Sequence, residues 1–62
     1  MKFTHIKSQD IWINRDLVAH VLVGRDEQGT LVGATVQLSG VPMPITLDPD
    51  GAVALLHDMR GD

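Results

Sequence analysis

Sixty-two residues, a formal charge of −3, no cysteine and only Phe3 and Trp12 as aromatic side chains describe one domain with an aliphatic core and no covalent staple. Disulfides and thiolate metal sites are excluded. The five basic residues, at positions 2, 7, 15, 25 and 60, are outnumbered by acids and unclustered, which argues against neutralising nucleic-acid phosphates.

Ile, Leu and Val supply 18 of the 62 residues, a large apolar share for a chain that buries only a modest fraction of its surface. Self-association as a homodimer or higher oligomer is the expected remedy. No apolar run approaches the ~20 residues of a membrane-spanning helix, and Met1-Lys2-Phe3-Thr4-His5 lacks a signal-like apolar region, so a cytoplasmic protein without membrane partners is expected.

In chain order, Lys2 to Lys7 alternates Phe3, His5 and Lys7 against Thr4 and Ile6, a short first strand. Ser8-Gln9-Asp10 is a turn. Ile11-Trp12-Ile13 is rich in β-formers, and Asn14-Arg15-Asp16 predicts a tight corner, such as one turn of 3₁₀ or α-helix. From Leu17 to Val23 both phases are apolar, with Leu17, Ala19, Val21 and Val23 on one side and Val18, His20 and Leu22 on the other. That pattern predicts a strand covered on both faces.

Gly24 to Gly29 is polar and glycine-bounded, an exposed hairpin connection expected to be mobile. Thr30 to Leu38 puts Val32, Ala34, Val36 and Leu38 in one phase, and Ser39-Gly40 turns the chain. Apolar residues at 41, 43, 45 and 47 alternate with Pro42, Pro44 and Thr46, predicting an edge strand whose two prolines blunt its outer rim.

Asp48 suits the cap of a following helix, Pro49 its first position and Asp50 its positive dipole end. The helix is expected over about 49 to 60, laying Val53, Leu56 and Met59, joined by Ala52 and Leu55, on the sheet. The chain from 1 to 62 is thus expected to be a single α+β domain, a small antiparallel sheet of four or five strands carrying one C-terminal helix.

Candidate chemistry is sparse. His5, His20 and His57 stand on different predicted elements without chelating spacing, so no metal or other cofactor is expected. Asp48-Pro49-Asp50-Gly51 is explained by helix capping, since the later ligands of a calcium loop are missing. Asp58 and Asp62 are expected to be solvated charges. Ser8 and Ser39 sit in turns without a nucleophile elbow, and no catalytic site or enzymatic activity is expected.

Trp12 projects opposite Ile11 and Ile13. Either it faces outward as an interface anchor, or it is the core residue and the isoleucines cover a second layer. The doubly apolar strand favours a dimer contact through Trp12, Val18 and Leu22.

The segments Ile11-Trp12-Ile13-Asn14-Arg15-Asp16-Leu17-Val18 and Gly33-Ala34-Thr35-Val36-Gln37-Leu38-Ser39-Gly40, followed by a strand and a short helix, resemble the small flagellar FlbD (SwrD) proteins. That pattern is Ile/Val-x-Ile/Val-Asn-Pro-Asp-Leu-Ile, a Thr-Val/Ile-x-Leu-x-x-Gly hairpin and a C-terminal amphipathic helix. Arg15 stands where the family has proline, Pro42-Met43-Pro44 is unlike it, and Thr46-Leu47-Asp48 replaces its more polar entry to the helix. The resemblance implies a bacterial flagellar accessory protein acting through protein contacts without catalysis. The same corner, strand and hairpin order also resembles the LytTR DNA-binding domains, which are longer and use basic loops. The expected function is therefore a non-enzymatic, self-associating, protein-binding accessory or regulatory module. The alternative is an oligomeric nucleic-acid-binding regulator that gathers Lys2, Lys7, Arg15 and Arg25 on one surface.

Overall fold

The computed structural model describes residues 2–61 as two antiparallel sheets and one C-terminal helix, an α+β fold. Strands β1 (Phe3–Ile6) and β2 (Ile11–Asn14) form a two-stranded sheet. Strands β3 (Val18–Arg25), β4 (Leu31–Leu38) and β5 (Ile45–Leu47) form a second in that spatial order, and helix α1 (Pro49–Gly61) follows.

Period-two patterning builds the first sheet. Thr4 faces Ile13 and Ile6 faces Ile11 across the ladder, while the alternate pair, His5 and Trp12, lies on the other side. The corner between the sheets is a 3₁₀ turn, Arg15–Leu17, capped as its sequence predicts: the Asp16 N–H donates to the Asn14 side-chain oxygen at 3.0 Å.

The core comprises Ile6, Ile13, Ala34, Val36, Leu47, Ala52 and Leu55, drawn from β1, β2, β4, β5 and α1. Each larger aliphatic member contributes roughly 1.5 to 3 kcal/mol by leaving water. Gly51 allows the close approach on which this packing depends. A Cβ there would stand 2.6 Å from Ile6 Cγ2 and 3.0 Å from the Asp48 carboxylate.

Three expectations are corrected. The strand predicted from Val41 is paired only over Ile45–Leu47, with Val36 opposite Ile45 and Ala34 opposite Leu47. The Ser39-Gly40 turn alone would have set Leu38 against Val41. The pairing instead slips by two residues, which keeps Ile45 and Leu47 on the core face, because only an odd slip exchanges faces. Val41, Pro42, Met43 and Pro44 fall in the connection, where the Gln37 amide donates to the Val41 carbonyl at 2.6 Å, and Met43 is 75% exposed.

The long middle strand is not covered on both faces. A β-bulge between Val18 and His20 sets Ala19 outside the ladder, so Val18 opposes Leu38 and Val21 opposes Val36 on the core side, while His20 and Leu22 face away. One inserted residue therefore accounts for the apolar character of both phases.

On the helix, Ala52 and Leu55 are buried as expected, together with Gly51, whereas Val53 and Met59 are exposed. The stripe is rotated because Asp48 caps the first turn at a fixed angle, with the Gly51 N–H donating to its carboxylate at 2.7 Å. The connection expected over Gly24 to Gly29 is exposed but starts later, since Gly24 and Arg25 are still paired in β3. The 26–30 loop is organised by Asp26, whose carboxylate accepts from the Gln28 and Thr30 N–H groups.

Candidate interaction surface

The outer face of the first sheet is aromatic. Trp12, 58% exposed, stacks on His5 with ring centroids 4.4 Å apart and planes 13° from parallel. Phe3, two residues before His5 on the same strand face, is also exposed. Between the two readings of Trp12, the geometry selects the outward one: Ile13 is in the core and Ile11 packs against it.

The proposed trio of Trp12, Val18 and Leu22 does not stay together. Leu22 is 62% exposed on the outer face of the second sheet, opposite Thr35 and, one strand further, Thr46. Val18 packs against the core instead. A shallow cleft of about 350 Å³ runs over this second sheet, and Leu22, Val32, Thr35 and Thr46 are among its lining residues.

Behind the first sheet lies a polar cluster. Arg15, with a side chain only 7% exposed, donates to the buried Thr4 hydroxyl at 2.8 Å, and Thr4 in turn donates to the Asp58 carboxylate at 2.7 Å. Arg15 also approaches Asp58 directly at 3.5 Å. The expectation that Asp58 is a plain solvated charge is thus corrected. The Thr4 hydroxyl is the largest influence holding its pKa below the ordinary carboxylate value, with His57 and the Arg15 guanidinium acting in the same direction against partial desolvation. The cluster clamps the 3₁₀ corner, β1 and the last turns of α1.

A second clamp comes from Gln9. Its amide donates to the Thr46 carbonyl at 3.0 Å, and its oxygen accepts from the Asp48 N–H at 3.2 Å, tying the β1–β2 turn to β5 and the helix start. Hydrogen bonds from Ser8 and from the Gly51 N–H lower the Asp48 pKa.

Neither clamp was visible as a site in the sequence. One signal was present for the first: Thr4 shares the strand phase of Ile6, and a hydroxyl at a core-facing position requires partners. No such signal marks Gln9 within its turn.

The three histidines occupy different elements, β1, β3 and α1, and among the described residues no group of three or more His, Asp or Glu side chains converges as a metal site would. A cleft of about 370 Å³ beside the helix start is lined by His5, Lys7, Ser8, Asp50, Gly51 and Ala54. No helix among the described residues is long and apolar enough to cross a membrane. These features define the chain as a small α+β protein with an aromatic hairpin face and an open second sheet. A scan against family models gives no match, and neither the curated proteins nor the solved structures show a significant similarity to it.

Proposed function

We propose that this chain is a non-enzymatic protein-binding accessory or regulatory module that associates with itself. The observation carrying this reading is the distribution of apolar side chains among the described residues. Ten large hydrophobics are exposed, Met43, Leu22, Trp12 and Val53 foremost, against seven residues in the buried core. Trp12, already oriented by its stack on His5, has little freedom left to lose on docking, as suits an interface anchor. A flagellar accessory role rests on the resemblance of the 11–18 and 33–40 segments alone, and co-purification with flagellar proteins from a bacterial host tests it.

Sedimentation at micromolar concentration tests the self-association. Concentration-dependent dimers are expected, and a folded monomer at every concentration would remove this part of the reading. The nucleic-acid alternative loses one of its four basic residues, since Arg15 is turned inward, and Lys2 lies 3.8 Å from Asp16. Polarisation titrations with generic DNA and RNA at low salt are expected to show no binding.

A further inference from the structure

The two edges of the second sheet are treated differently by the sequence. On the β5 side the paired strand is only three residues long, Pro42 and Pro44 stand just ahead of it, and the Gln9 side chain occupies the Thr46 carbonyl. Each is a device that discourages a further strand from pairing there. On the β3 side the strand is eight residues long, ends the ladder, and carries neither proline nor charge from Val18 to Gly24. The principal contacts of α1 are with β1, β4 and β5, and the helix reaches β3 less. Val23 is accordingly exposed although its ladder partner Ala34 is in the core.

From this asymmetry we infer that a second copy of this chain pairs antiparallel along β3, joining two three-stranded sheets into one of six strands. This inference rests on the self-association proposed above and gives it a geometry. A two-fold axis at Val21 sets Val21 against its counterpart and His20 against Leu22, and brings Ala19, at the bulge, beside Val23. The four exposed residues between Val18 and Gly24 are Ala19, His20, Leu22 and Val23. That register gives each of them another exposed residue as neighbour. Absence of charge along the seam matters because each copy carries −3 overall, and acidic residues there would oppose the approach. In that register residues 18 to 24 face their counterparts, a seam seven residues or about 24 Å long.

The test uses the full chain. Sedimentation should show a dimer, and Leu22→Lys, at an exposed position, should raise its dissociation constant about tenfold or more while leaving the far-ultraviolet circular dichroism unchanged. Because the chain has no cysteine, Val21→Cys introduces a single reporter at the axis, where facing Cα atoms about 4.5 to 5.5 Å apart lie within disulfide reach. Mild oxidation should convert it to covalent dimer, whereas Phe3→Cys, on the other sheet, should not cross-link. A folded monomer at all accessible concentrations overturns both this inference and the self-association beneath it, and leaves β3 to a strand from another protein. A dimer indifferent to Leu22→Lys, not cross-linked through Val21→Cys and dissociated by Trp12→Ala overturns the β3 geometry alone.

Discussion

Thr4 shows how one hydroxyl can join distant parts of a chain. Buried and flanked by Ile6 in its strand phase, it accepts a hydrogen bond from the Arg15 guanidinium and donates one to the Asp58 carboxylate. Thr4→Val keeps the volume and removes both bonds, leaving Arg15 largely buried with one acceptor fewer. A loss of about 1 to 3 kcal/mol in denaturant unfolding is expected.

The same substitution should alter the response to acid. A carboxylate whose folded pKa lies below its unfolded value binds fewer protons when native, so its stabilisation is complete above the unfolded value. It is lost as pH falls through the depressed one. Asp58 and Asp48 both behave this way, so stability should decline as pH drops below the ordinary carboxylate value of 3.8. Thr4→Val removes the largest cause at Asp58, and its unfolding free energy measured against pH should fall less steeply across that window. Gly51 is the second residue of this kind. Gly51→Ala would drive a methyl into Ile6 Cγ2, and although alanine favours helix, crowding should dominate and cost roughly 1 to 3 kcal/mol.

The elements themselves were largely legible because their signals are local. Alternation marked β1 and β4, Asn14 and Asp16 marked the corner, and Asp48-Pro49 marked the helix start to the residue. Errors arose where a second element decides the outcome. Nothing within residues 17 to 23 reveals that Ala19 steps out of the ladder, since bulging depends on how β4 presents Gln37 and Leu38. The paired length of β5 likewise depends on Gln37 holding the Val41 carbonyl, a contact made across the turn. The helix face was half legible: Ala52 and Leu55 are buried as expected, whereas Val53 and Met59 are not, because equal apolar spacing permits several stripes. Asp48→Ala should do more than fray a turn. It releases the Gly51 N–H and removes the acceptor used by Ser8, and a lower melting temperature with reduced helical dichroism is expected.

At the scale of the whole molecule the candidate surface was only half legible. Outward projection of Trp12 follows from strand periodicity, but grouping it with Val18 and Leu22 assumed an unbroken alternation that the bulge removes. Trp12 is more than half exposed, so Trp12→Ala should leave the fold standing, with a melting temperature near that of the parent. Any loss should appear instead in the binding of a partner protein at the aromatic face. A collapse to unfolded chain would assign the ring a packing role that its exposure contradicts.

The bond between Thr4 and Asp58, residues 54 apart in sequence, carries a topological corollary. The two ends of the described chain lie side by side, so a short flexible peptide can bridge them and new termini can be cut in the exposed loop between Glu27 and Gln28. Such a circular permutant should keep the native spectrum. It should refold more slowly, because the cut turns the adjacent β3–β4 hairpin into a pairing between the two ends of the permuted chain.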